Sequence, residues 1–233
     1  MFGSRKQSWL NVIAALVVAL GLTIPTSLPP VQAQGNPNPG IVPNNAQYRT
    51  LSAQWWQWAV SAPTPVNPVL DPTGANCAQG QGVFSKNNVW FLAGTFGGSV
   101  TRTCAIPPGK SLFFPILNTF FACDPPPAAC PPLSDIRAFV ASQMNNPLLL
   151  EASIDGVPAQ ALSSYRVASS VFSLQLPADN VFGALAGTYE PAVADGYYLL
   201  VTPLTPGSHT IHFKGTGNDG FTVEATYNLM VGH

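Results

Sequence analysis

The chain has 233 residues, of which only 8% are charged and 46% hydrophobic, with a formal net charge of −1. An average soluble domain carries about a quarter charged residues, and no basic stripe is present to meet phosphates, so nucleic-acid binding is excluded as a leading role. Pro and Gly are abundant, at 24 and 20 residues, but they fall between apolar segments and form no long disordered tract.

Residues 1–33 have the form of an export signal. Arg5 and Lys6 precede an apolar run through Val12 to Leu20, and Val31-Gln32-Ala33 supplies small residues for a signal peptidase. A retained membrane anchor would need about 20 consecutive apolar residues, and Thr23, Pro25, Thr26 and Pro29 break the run too early. The expected product is a secreted or periplasmic protein with seven basic and ten acidic residues, and with no membrane span after cleavage. Residues 34–46, with Pro37, Pro39, Gly40 and Pro43 among asparagines, read as a flexible linker. Residues 47–233 then form one domain.

A helix is expected over 47–60, where Tyr48, Leu51, Trp55, Trp58 and Ala59 share a face. Trp55 and Trp58 pack it onto a sheet, leaving Trp56 partly exposed. Val89 to Ala93 reads as a strand covered on both faces. Val100 to Ile106 alternates, with Arg102 on the inward parity, so Arg102 lies at an edge or is a buried cation. Pro107-Pro108-Gly109-Lys110 is a turn, after which Ser111 to Phe114 is expected to return antiparallel.

Cys77, Cys104, Cys123 and Cys130 are even in number and follow an export signal, which favours disulfides over zinc. Of three connectivities, Cys77 with Cys104 and Cys123 with Cys130 is preferred, because prolines have already stiffened the second loop. A second helix is expected over 134–144, capped by Ser134. Strands follow at Leu150 to Ile154, Phe172 to Leu176, Tyr197 to Val201, Ile211 to Phe213 and Phe221 to Val231, with Asp155-Gly156 as a hairpin turn. Asp179 is placed as the cap of a short turn over 180–185. These elements predict a mainly β, antiparallel sandwich, immunoglobulin-like or jelly-roll-like, with two packing helices.

Asp195-Gly196-Tyr197, followed by a strand, a Pro-Gly turn and a strand, resembles the corner region of immunoglobulin-like modules, though no cysteine follows in the expected strand. Trp55-Trp56-Gln57-Trp58, Phe91-Leu92-Ala93-Gly94 and Pro108-Gly109-Lys110 running into Phe113-Phe114-Pro115 resemble blocks of uncharacterised exported bacterial proteins. That resemblance implies a bacterial extracytoplasmic origin and carries no activity to transfer.

Chemistry-bearing motifs are sparse. Gly-x-Ser-x-Gly and His-Glu-x-x-His do not occur. Gly215-Thr216-Gly217-Asn218-Asp219-Gly220 matches a dinucleotide fingerprint in letters, but it separates two strands and reads as a hairpin loop. His209 and His212 are three apart on a strand and point to opposite faces, a poor metal pair, and His233 is terminal. Asn218 and Asp219 offer too few oxygens for calcium. No cofactor and no metal are expected. The leading expectation is a non-enzymatic binding or envelope-associated module, its ligand a carbohydrate or another neutral surface component, with Trp56, Trp90 and Tyr198 as contacts. The alternatives are a hydrolase using Glu190 and Asp195, read as two carboxylates in one loop, or a structural subunit that pairs with a neighbour through the final strand.

Overall fold

A computed structural model describes residues 38, 40–85, 88–125 and 128–232. The expected export signal and His233 lie outside them. The fold is mainly β: two mixed sheets, not closed into a barrel, with two packing helices.

The first helix, α1 (Ala46–Ser61), starts where the Asn45 side chain accepts from Gln47 N and ends before Pro63. Its tryptophans differ in their bonding. Trp58 Nε1 donates to Gln79 O at 2.8 Å and Trp55 Nε1 to Leu92 O at 2.9 Å. Trp56 is buried rather than partly exposed, at 5%. The second helix, α2 (Leu133–Gln143), is preceded by Pro132 and has no side-chain cap, since the Ser134 hydroxyl turns to Asp135.

Among the described residues there are ten strands. They are β1 (Val89–Phe91), β2 (Gly98–Ile106), β3 (Ser111–Ala122), β4 (Leu149–Ile154), β5 (Val157–Pro158), β6 (Arg166–Ala168), β7 (Phe172–Leu176), β8 (Gly187–Val201), β9 (Gly207–Thr216) and β10 (Thr222–Val231), and β5 and β6 are the two that the sequence did not mark. One sheet has the order β1-β3-β8-β6, with β7 also on β8, and the other β2-β10-β9-β4-β5.

Pairing is mostly antiparallel, but β1 with β3 and β2 with β10 run parallel. The turn after β2 therefore carries the chain from one sheet to the other, instead of closing a hairpin. Local pattern marks a turn but not the sheet that receives the next strand. The 217–221 loop is a hairpin loop as expected, with Gly217 N donating to Phe221 O and Gly220 N to Gly217 O.

Phe114 and Phe213 stack at 4.9 Å between the sheets, while Phe113 and Tyr198 stack at 5.3 Å on the opposite face beneath α1. The first sheet is thus buried on both faces, which explains the near-continuous apolar runs of β1 and β8. Ile136 and Val140 of α2 pack on Val193 and Phe121 of this sheet.

Three expectations about chain ends and edges change. Residues 38 and 40–45 are docked, not loose: Ile41 bridges Val201, Val42 N donates to Leu200 O, and the Asn38 amide exchanges bonds with Gln160. Burial of Ile41 and a backbone ladder outweigh the Pro/Asn composition. The final strand β10 is interior, paired with both β2 and β9, so it cannot serve as the pairing edge of an assembly subunit. The turn at 180–185 is held by Asn180, whose Oδ1 accepts from Phe182 N and Ala184 N, while Asp179 contributes only its carbonyl, to Thr64.

Arg102 is both things the sequence allowed. Its strand β2 is an edge, yet the side chain is 1% exposed. The guanidinium donates to the carbonyls of Val69, Asp71, Ala93 and Gly94 and to the Tyr227 hydroxyl, at 2.7–3.0 Å. Five acceptors replace the missing carboxylate. The disulfides join Cys77 to Cys104 and Cys123 to Cys130. Together with the absence, among the described residues, of a helix long and apolar enough to cross a membrane, they are compatible with an extracellular or periplasmic protein.

Candidate functional site

A cleft lined by several segments forms where β1 stops. Strand β1 covers β3 only from Ser111 to Phe113, and Leu92 N to Phe113 O is the last bond between them. From Pro115 to Phe120 the same edge of β3 lines a cleft of about 340 Å³. That lies within the range usual for small-ligand sites.

Its walls come from seven separate segments. Trp56 of α1 packs on Phe120 at 4.3 Å; Phe120 meets Phe182 of the β7–β8 loop at 5.7 Å, and Phe182 meets Phe96 of the β1–β2 loop at 5.9 Å. Phe221 of the β9–β10 loop, whose ring lies beside Gly97, completes the lining with Gln143 and Met144 from the end of α2. Phe96, Phe182 and Phe221 are 43–44% exposed, a cluster of half-open rings around one mouth. Asn118, Thr119, Thr95, Gln143 and Asp219 supply polarity, and neither lysine nor arginine lines the cleft.

A second hollow of about 170 Å³ continues beyond Phe120 and Phe182, lined by Ala122, Asp124, Leu174, Leu176, Ala184 and Tyr189. Both hollows follow β3. The strand comes this close to the second sheet because β9 carries Gly215 where any Cβ would strike the Ile116 carbonyl, at the bulge between Pro115 and Leu117.

Trp56 is the expected contact that reaches this cleft. Its indole N–H lies beside the Tyr198 oxygen but forms no hydrogen bond of good geometry with any described residue, so the ring is what Trp56 brings. Tyr198 itself is fully buried and cannot touch a surface ligand. Burial drives its phenol pKa up, opposed by Asn118, whose Nδ2 donates to the hydroxyl at 3.2 Å, and by Trp56. Trp90 is 7% exposed inside a strand covered on both faces, and its indole N–H too has no partner among the described residues. An apolar run that signals a covered strand also signals that its tryptophan is not a surface contact.

Glu190 and Asp195 do not share a loop. Both belong to β8, which begins at Gly187, and a five-residue separation on a strand puts them about 16 Å apart on opposite faces. Asp195 is buried against Arg166, 2.9 Å away, while Glu190 borders a shallow depression with Phe172 and Pro191. The paired-carboxylate geometry is absent, because Pro191 and the polar residues around it hid a strand. Of the histidines, His209 bonds Asp155 at 2.7 Å and Thr205 O at 2.8 Å, and His212 bonds Glu224 at 3.2 Å. Among the described residues no three His, Cys, Asp or Glu side chains gather as a metal site.

Phe96, Asn118, Thr119, Phe120, Phe182 and Phe221 went unnoticed in the sequence as site residues. The exposed Phe at two loop tips, Phe96 before Gly97-Gly98 and Phe221 after Gly220, was the available signal. Comparison with family models, with curated proteins and with solved structures gives no match.

Proposed function

We propose that this is an exported, non-enzymatic binding module whose ligand occupies the aromatic cleft along β3. The observation that carries the reading is the cluster of three half-exposed phenylalanines around a mouth floored by Trp56 and Phe120. Exposing such rings lowers stability unless something covers them. The absence of lysine and arginine from the lining favours a neutral or basic ligand over an anionic one. The leader, the disulfides and the low charge support action outside the cytoplasm, as a secreted or periplasmic protein.

A carbohydrate or another neutral envelope component remains a reading of this site, since flat rings beside Asn118, Thr119 and Gln143 offer both stacking and hydrogen bonds. The test is a titration of the leader-free protein with soluble glycans, cell-wall fragments and short peptides, followed by tryptophan fluorescence. Binding should change the emission of Trp56 and be lost in Thr119→Arg, which fills the cleft. Silence toward the whole panel, or equal binding by the filled variant, would end the reading.

A further inference from the structure

The open edge of β3 has directional hydrogen-bonding groups, and they can be assigned from its neighbour. In β8, Ala194 donates its N–H to the Ser169 hydroxyl and accepts at its carbonyl from Ser169 N, both toward the β6 side. Gly196 shares that parity and is paired with Val167 of β6. The partners of these residues across β3 are Phe120 for Ala194 and Asn118 for Gly196. In an antiparallel ladder, residues opposite one another either exchange both bonds or turn both sets of groups away. The backbone N–H and C=O of Asn118 and Phe120 therefore point away from β8, into the groove. Among the described residues nothing bonds them.

Elsewhere this protein covers such edges. The Gln81 amide bonds both the N–H and the C=O of Phe91 on the outer side of β1, at 3.0 and 2.8 Å, and Ser85 Oγ donates to Val89 O at 2.6 Å. On the β2 edge, Thr103 N donates to Thr73 O. The β3 edge is left bare in the one place where aromatic rings flank it.

Resting on the cleft as the binding site, we infer that its occupant is an extended peptide segment of a partner protein, added to the first sheet as a strand beside β3. Two outward residues, two apart, present donors and acceptors at the repeat of a strand, about 6.7 Å. The rings of Phe96, Phe182 and Phe221 meet every second side chain of the added strand, as strand addition requires. Asp219 beside one hollow and Asp124 beside the other favour a neutral or basic segment.

The test uses the whole leader-free protein and an acetylated heptapeptide alternating threonine with valine and phenylalanine, ending in lysine. Two further peptides carry N-methyl groups on alternate amides, one on each parity; the side-chain alternation fixes the register, so only one parity faces β3. One methylated form should bind at least tenfold more weakly than the parent and the other should match it. Hydrogen exchange read by NMR gives a second measure in the unmutated protein. The Asn118 and Phe120 amides should become at least tenfold more protected on binding, while those of Thr119 and Phe121, already paired with β8, change little. Equal binding by both methylated forms, or binding without new protection at Asn118 and Phe120, overturns strand addition. Glycan binding with all peptides silent also overturns it and leaves the cleft reading standing. Silence toward both classes removes both.

Discussion

Two edges of the same sheet are treated in opposite ways. The outer side of β1 is sealed by side chains that imitate a strand, Gln81 on Phe91 and Ser85 on Val89, and the region beneath is tied by Arg102, whose five acceptors come from two backbone segments and a buried tyrosine. A few residues further on, β3 beyond Phe113 carries no such cover and is ringed by half-exposed phenylalanines. Bare strand edges invite association, and proteins normally blunt them. A chain that spends a glutamine, a serine and an arginine on closing one edge, and leaves the adjoining one open and aromatic, separates a structural region from the proposed binding region within one sheet. The tryptophan block makes the same division: Trp55 and Trp58 have their indole N–H groups satisfied, and Trp56, whose N–H is not, floors the cleft.

The largest effect should come from breaking the sealed side. Arg102→Met strands the carbonyls of Val69, Asp71 and Gly94, while Ala93 and the Tyr227 hydroxyl keep their bonds to each other, and an unsatisfied buried polar group costs about 1–3 kcal/mol. The expected loss is at least about 4 kcal/mol of unfolding free energy in urea, or failure to fold. Arg102→Lys should rescue only in part, since an ammonium has three donors and no planar fork. A loss below about 1 kcal/mol would show that the network is not what holds β2 and its loops together.

A sharper form of the contrast pairs Gln81→Ala with Phe96→Ala. Removing the Gln81 amide deletes its bonds to Phe91 and Cys77 and should cost about 2 kcal/mol without altering ligand binding. Phe96 is 43% exposed, so its loss should cost under about 1 kcal/mol while weakening binding about tenfold. The reverse assignment of effects would dissolve the distinction between the two edges.

The smallest effect lies outside both regions and serves as a control. The Asp155 hydrogen bond is the main cause raising the His209 pKa above its ordinary 6.5, against burial, which lowers it. A raised folded-state pKa contributes stability that is complete below pH 6.5 and fades as pH rises through the raised value. Asp155 is shifted the other way: burial raises its pKa, but the bonds from His209 and Thr210 N outweigh that, so its share is present above the ordinary 3.8 and is lost as pH falls through the lowered value. With the carboxylate nearly half exposed, solvent screening keeps the tether well under 1 kcal/mol. His209→Ala should flatten the slope of stability above pH 6.5 slightly and leave cleft binding unchanged.

Much of the architecture was legible because burial writes itself as alternation. Val100, Arg102, Cys104 and Ile106 mark the inward parity of β2, and Val223 through Val231 that of β10. Partner choice leaves no such trace, which is why the parallel pairs and the crossing at Gly109 were not foreseen. Strand β8 was shortened because Glu190, Pro191 and Asp195 look like loop residues, although Asp195 is ion-paired with Arg166 from β6, 29 positions away. The cleft was illegible for a related reason: Trp56, Phe96, Phe120, Phe182 and Phe221 come from five segments, and only the stopping of β1 at Phe91 brings them around one bare edge. Trp56 stood out because three tryptophans in four residues draw attention, whereas a single phenylalanine after Gly220 does not.

The most direct measurement is an amide and indole chemical-shift map of residues 34–233 against the best-binding peptide or glycan. The account predicts large changes at the Trp56 indole, the backbone amides of Asn118 and Phe120 and the Gln143 side chain, with the Trp55 and Trp58 indoles and the Gln81 side chain unmoved. Changes confined to the Glu190 depression or to the outer face of the second sheet, with Asn118 and Phe120 silent, would contradict it.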